Sequence, residues 1–329
     1  MKTYILPLKQ KSGLLTDLQS DTIYGHFCWR LKERLGEEKL TDFISLYRNN
    51  KPVFTLSDGL LQINDEIHFP RPFIFSKPEI KQTKSEKVLE FVNRKSDKEK
   101  NYFTISELKK FLSSGEIIID RNNLQTNSKK SRSTRPAKTE SLRVSVQIDR
   151  STFGNSEGKL FSYKPEYTRE DVSYVIFIKV LNEKAYYDFS CEDIIKEIFT
   201  IGYGKKKSSG YGQFEVGEVR EYNEFTEPEN SNAFLVLGNY LPSVSDKVLP
   251  IGYDINTKYG KLGEELSQSV NPFKNPMVFL IAGSCFKSNV NAAYHGRITD
   301  DSEISESNTF AVQFGMPFTL KFNLGSTDY

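Results

Sequence analysis

Residues 191–219 read CEDIIKEIFTIGYGKKKSSGYGQFEVGEV, a helix, a glycine-rich loop and a strand in succession. Ile194, Ile195 and Ile198 share one side of a helix over 191–199, and 213–219 returns to an extended run. Working outward, residues 3–8 open the chain as a short strand. Ser20 or Asp21 stands where a helix cap belongs, and Ile23, Phe27, Leu31 and Leu35 then line one face. Gly36 ends that helix, and Leu40, Phe43, Ile44 and Tyr47 mark a second, shorter one. Residues 67–75 are β-like, but two prolines confine them to an edge or an irregular segment. The alternation in 142–148 predicts a half-buried strand, and 172–180 a longer one. The core elements run strand, helix, strands, helix, strand, which is a ferredoxin-like βαββαβ order in an α+β fold.

Residues 76–140 are charged and poor in large apolar side chains apart from Leu108, Phe111, Leu112 and 117–119. They read as an insertion and not as core. An acidic turn at 223–232 precedes a second, smaller β-rich part with strands expected at 234–237, 248–253, 278–282 and 310–322. A decayed copy of the first part is one reading of it, although no direct sequence repetition is visible.

The chain has 329 residues, and 45 Lys+Arg face 43 Asp+Glu, but the charge is uneven. Residues 81–150 hold 17 basic and 9 acidic side chains, and 121–138 hold six basic and no acidic ones. Acidic patches at 215–229 and 300–306 answer them. That distribution suggests nucleic acid where the flat total would not; a solvated flexible loop is the plainer account of the basic run. Aromatics at 13% argue against a mainly disordered chain. No run approaches the ~20 apolar residues of a membrane span, and charge returns within nine residues of Met1, too early for a signal peptide. Cys28, Cys191 and Cys285 are odd in number and far apart, with neither a disulfide framework nor a zinc knuckle. The expectation is a soluble cytoplasmic protein.

Chemistry concentrates in 202–212. Its four glycines let the backbone turn and approach a ligand closely, its three lysines and two serines suit phosphates, and its two tyrosines offer stacking faces. It follows a helix and precedes a strand, the reverse of nucleotide-binding loops, and it matches neither a Walker loop nor a dinucleotide fingerprint. An RNA or phosphate role and a mobile connecting loop are the two accounts of it. His26 lies beside the apolar face of the first helix, one turn before Arg30, and is either a packing residue or a general acid–base. His68 and His295 fall in loop-like contexts without metal-ligand spacing. No hydrolase elbow, zinc-protease pair or paired-aspartate metal motif is present, and Asp149 after a strand end reads as a turn-former.

Three segments together carry a resemblance. These are SDTIYGHFCW at 20–29, IDRSTFG at 148–154 with EGKLF at 157–161, and the glycine-rich loop. They resemble the RAMP superfamily of CRISPR proteins, most closely the fourth-subunit family of type III-A Csm effector complexes. NPFK at 271–274, GS at 283–284 and QFGMPF at 313–318 are similar to that family's second half. The resemblance implies two ferredoxin-like (RRM-like) domains, the second degenerate. The first would span 1–222 with a basic thumb-like insertion at about 76–140, and the second 233–329. It implies a non-catalytic subunit, without metal or cofactor, that holds the repeat-derived 5′ handle of the crRNA. Such a subunit joins the large polymerase/cyclase-type subunit to the backbone RAMP subunits, meets target RNA only indirectly and has no membrane role.

The RNA-contacting positions of that family fall on Gly25 and His26, with Arg30 beside them. They fall also on Gly202, Tyr203, Gly204, Lys205, Lys206, Lys207, Ser208, Ser209, Gly210 and Tyr211, and on the thumb, represented by Arg132, Arg135 and Lys138. Arg143, Arg150 and Lys274 complete the candidate set. RAMP folds also include metal-independent repeat-processing endoribonucleases with a histidine near the first helix, and His26 is the counterpart in that alternative.

Overall fold

The computed structural model describes residues 1–74, 101–117, 136–148, 151–152, 154–263, 271–288, 292–299, 303–305 and 311–325, with the backbone alone for 155–159. The first part runs β1 (Lys2–Gln10), α1 (Ser20–Leu35), α2 (Glu37–Arg48), β2 (Phe54–Leu56), β3 (Leu60–Ile63) and β4 (Glu66–Pro70). It continues with β5 (Tyr102–Phe103), α3 (Ile105–Ser114), β6 (Lys138–Glu140), β7 (Arg143–Ile148), β8 (Asn155–Tyr163) and β9 (Glu166–Thr168). Then come β10 (Val172–Val180), α4 (Glu183–Asp188), α5 (Cys191–Ile201), β11 (Phe214–Val216) and β12 (Arg220–Glu221). Among the described residues the second part has one short 3-10 turn, Val244–Asp246, and the strands β13 (Ala233–Val236), β14 (Val248–Gly252), β15 (Ile255–Lys258), β16 (Met277–Leu280), β17 (Cys285–Ser288), β18 (Arg297–Ile298), β19 (Phe314–Gly315) and β20 (Thr319–Phe322).

One mixed α/β layer pattern organises these pieces. The main sheet is ordered β11-β1-β10-β3-β4-β5, with antiparallel pairing throughout, and a second sheet is ordered β14-β17-β13-β20. Period-two alternation sends neighbouring residues of β1 and β10 to opposite faces. Leu6, Leu8, Ile176 and Ile178 meet Phe27 and Leu31 of α1 and Ile194 and Ile198 of α5. Ile5, Val175 and Phe177 meet Leu235 and Leu320 of the second sheet on the other face. A strand buried on both sides must be apolar at nearly every position, and VSYVIFIKV is such a run.

The two parts also interlock. Phe314 of β19 stacks on Tyr24 of α1 with ring centres 4.5 Å apart, and Tyr24 stacks in turn on Phe54 at 5.2 Å. The first turn of α1 is tied to the second part by polar contacts. Asp21, almost fully buried, accepts from Lys258 Nζ at 2.5 and 2.7 Å, from Asn239 Nδ2 at 2.7 Å and from Gln313 Nε2 at 2.7 Å. Ser20 N donates to Asp58 Oδ1 at 2.7 Å, and Ser20 Oγ accepts from Asn239 N at 3.0 Å. A carboxylate beside four helical N–H groups also gains from the helix dipole.

Several expectations are corrected here. Gln19, with no side-chain capping bond, precedes α1; Ser20 and Asp21 lie within the first turn and serve the second part instead. Residues 142–148 are not a half-buried core strand. β7 pairs with β8 in a separate hairpin, and Val144, Val146 and Ile148 are 58%, 42% and 57% exposed. Their place in the sheet belongs to β2 and β3, which pair with β10. Leu108, Phe111 and Leu112 are core after all: α3 is amphipathic, is closed by a Thr104–Glu107 capping box and by Gly115 in the left-handed region, and packs on β20. His68 is within β4, 6.0 Å from the Tyr102 ring. His295 is buried, stacks 3.7 Å from Phe234, and burial pushes its pKa down to about 3.

Candidate nucleic-acid interface

The glycine-rich loop is held by its backbone. Gly202, Gly204, Gly210 and Gly212 have φ of 131°, 79°, 85° and 68°, and Lys206 joins them at 60°. Those left-handed turns curl the chain until Tyr203 N donates to Gly212 O at 2.8 Å. Gly212 N donates to Gly13 O at 2.9 Å, and Lys205 N to Thr16 Oγ1 at 2.9 Å, which fastens the loop to the segment after β1. His26 supplies the third anchor from α1: its Nε2 accepts from Gly204 N at 3.0 Å. A neutral imidazole that accepts at Nε2 carries its proton on Nδ1.

Tyr203 does not offer a stacking face. Its ring is fully buried between Phe199 and His26, and its hydroxyl donates to Asp17 O at 2.7 Å. Burial pushes that phenol well above its ordinary pKa. Tyr203 is the peg that seats the loop, and the exposed rim lies C-terminal to it. Lys205, Ser208, Ser209 and Gly210 face solvent, and Lys206 and Lys207 are half-buried.

The hairpin root meets the loop at an aromatic junction that adds Tyr163 to the candidate residues Lys206 and Tyr211. Lys206 Nζ lies 3.5 Å from the centre of the Tyr163 ring, and Tyr211 meets Tyr163 edge-on at 5.7 Å. Ser145 Oγ is 3.0 Å from Tyr163 Oη, and hydrogen bonds from Ser145 and Tyr211, with Lys206 adding to them, hold the Tyr163 phenol below its ordinary pKa. Arg143 is paired opposite Tyr163 in the ladder. Loop and hairpin therefore bring Arg143, Lys205, Lys206 and Tyr211 to one side of the molecule, beside the exposed Gly25 and the half-buried His26. Such a surface can hold phosphates by charge and bases by stacking. Residues 155–163, NSEGKLFSY, carry no clean alternation, so nothing local in the sequence singles out Tyr163.

Other candidates stand apart. Arg30 is engaged by Glu33 one turn away. Lys138 pairs with Glu166 at 2.9 Å and lies over the Tyr174 ring at 5.3 Å, so its charge is already answered. Lys274 faces the other side of α1, where its Nζ donates to Gln313 Oε1 at 2.9 Å. Arg132, Arg135 and Arg150, and most of the basic insertion, lie outside the described residues. Among the described residues no helix is long and apolar enough to cross a membrane.

No family model matches the chain, and no curated protein matches it. Solved structures do. A chain in the crystal structure of the Csm3–Csm4 subcomplex of the type III-A CRISPR-Cas interference complex matches with a TM-score of 0.63 at 18% identity, over 97% of this chain and 99% of that one. A chain of the Csm1–Csm4 cassette in complex with cA4 matches at 0.59 and 13%, and one in the same cassette with AMPPNP at 0.58 and 13%. Each of these two covers 99% of this chain and 100% of its own. From end to end, this protein has the fold of those chains from type III-A CRISPR-Cas assemblies.

Proposed function

We propose that this chain is the crRNA-handle subunit of a type III-A CRISPR ribonucleoprotein and acts without catalysis. It holds the repeat-derived 5′ handle and joins the large polymerase/cyclase-type subunit to the backbone RAMP subunits, meeting target RNA only through the guide. The observation that carries this reading is the anchored loop. Backbone contacts to His26, Thr16 and Gly13 take up the loop's turns and leave its lysine-bearing rim toward solvent, with the Tyr163–Tyr211 pair alongside. The solved structures of like fold support the partner assignment, since they hold Csm3 in one case and Csm1 in the other. The order β11-β1-β10-β3, with α1 and α5 on one face, supports a ferredoxin-like first domain over 1–222. The sheet β14-β17-β13-β20, with no α-helix in this part among the described residues, supports a degenerate second one over 233–329.

The non-catalytic part of the proposal is supported by His26. Its Nε2 lone pair is spent on Gly204 N–H, so the ring works as a fastener where a general base would need that lone pair free. One set of measurements tests both parts. Changing Lys205, Lys206 and Lys207 together to Ala is expected to weaken handle RNA binding and to reduce the salt slope by about one unit for each phosphate no longer held. An unchanged affinity and slope would reject the handle reading. Incubation with repeat RNA, in EDTA and in Mg²⁺, is expected to leave the RNA whole. Cleavage that disappears in His26→Ala would turn the reading to the endoribonuclease.

A further inference from the structure

On the side of α1 away from the glycine-rich loop is a cavity of about 240 Å³. Trp29 and Cys28 of α1, Ile44 of α2, and Leu262, Val312 and Phe314 of the second part give it mostly apolar walls. Three charged groups break them, Lys32, Glu37 and Lys274. Glu37 is exposed at the start of α2 and is 3.5 Å from Lys32. Lys274 is the unusual one. Its ammonium has three donors, and the partner found for it is Gln313 Oε1 at 2.9 Å. Gln313 is itself fixed, because its Nε2 donates to Asp21, whose charge Lys258 already answers at 2.5 Å. Among the described residues no carboxylate lies within ion-pair distance of Lys274. Withdrawal from water lowers its pKa, with Asp21 opposing that shift. A partly withdrawn cation with two donors to spare needs an acceptor from outside.

We propose that this cavity takes one unstacked guanine base of the bound RNA, with Lys274 donating to the O6/N7 edge and Trp29 against the ring. The inference rests on the RNA-holding reading above and deepens it. Three observations carry it. The volume is below that of pockets for drug-sized ligands, which run from about 300 Å³ upward, so it suits a single ring system. A base supplies both things the walls ask for, an apolar face and an edge with acceptors, and lysine on guanine O6/N7 is a recurrent pairing. An apolar side chain from a partner protein would leave the ammonium facing hydrocarbon. Finally, the cavity begins at Gly25, the residue before His26, so a strand held by the loop reaches its rim over the one exposed position of α1 without a side chain. A Cβ built on Gly25 meets nothing within 4 Å.

The test uses the full chain and its own reporter, since Trp29 is the single tryptophan in 329 residues. Guanosine monophosphate is expected to quench its emission at about tenfold lower concentration than adenosine, cytidine or uridine monophosphate. Handle RNA should quench it too, and replacing one guanosine by an abasic unit should abolish the quench and weaken binding about tenfold, while other abasic positions leave it. Lys274→Met should remove the preference for guanine. Val312→Phe, which fills the space without touching the polar contacts, should remove the quench while the loop still binds RNA. RNA that binds with Trp29 emission unmoved overturns the inference and leaves the handle reading intact. No RNA binding at low salt overturns both. A quench caused by an added Csm-type protein subunit, and not by RNA or guanosine monophosphate, overturns it in favour of a protein side chain.

Discussion

Gly212 has no space for even one methyl group. Its φ is 68°, and a Cβ there would stand 1.9 Å from Tyr203 O, the atom's own loop neighbour across the closing hydrogen bond. Gly212→Ala is expected to cost about 1–3 kcal/mol and to weaken RNA binding by displacing the lysines, read out by thermal melting and by anisotropy. A second single-residue effect concerns Asp58, whose carboxyl is pushed up to about 7, chiefly by burial, with Asp21 adding to the rise. Unfolded aspartate titrates near about 4, so the folded state holds the proton more firmly. The stability from that proton is complete below about pH 4 and is lost as the pH climbs to about 7. Asp58→Asn cannot ionise yet keeps an oxygen to accept from Ser20 N. It should raise the melting temperature at pH 8 and leave it unchanged at pH 4; an equal shift at both would reject the account. At this scale the amino-acid pattern pointed to the loop and to His26, which are joined by the Gly204 N–His26 Nε2 hydrogen bond. It misplaced Tyr203, because a tyrosine among glycines and lysines looks like a stacking face until the buried slot between Phe199 and His26 is seen.

Elements were legible where burial, of one helix face or of both strand faces, leaves its own spacing in the sequence. α1, α2 and α5 show their apolar stripe at helical spacing, and β10 its continuous run. Two elements were not. Leu108, Phe111 and Leu112 sit in a stretch so rich in lysine that composition argued for an insertion, yet a capping box and a left-handed glycine bound a helix there. Phe111 is fully buried, with its ring 4.8 Å from that of Phe322. Phe111→Ala should therefore cost about 3–5 kcal/mol, measured by denaturant unfolding, where an insertion outside the core would lose almost nothing. The reverse error befell β7. Its alternation is real, but the apolar side faces solvent on a two-stranded ribbon, and alternation says which residues share a face without saying what covers it.

At the scale of the molecule, long-range pairing was beyond the reach of sequence periodicity. Nothing local to 20–22 announces that Asp21 will be met by Lys258, Asn239 and Gln313, more than two hundred residues away. Removing the cation leaves a buried carboxylate short of its main partner. Lys258→Met is expected to destabilise the chain by about 3 kcal/mol, and the double change with Asp21→Asn by less than the single one. Additive losses in that cycle would show that the two residues are not coupled.

The two-faced burial of β1 and β10 also bears on how the chain is made. β10 leaves the ribosome long before β20, and until β20 emerges, Ile5, Val175 and Phe177 have no cover from Leu320. At the usual pace of translation that interval lasts roughly ten to thirty seconds. During it that sheet face begins with only Phe69, Phe103 and the α3 residues to cover it, so the interval is the one in which aggregation competes most with folding.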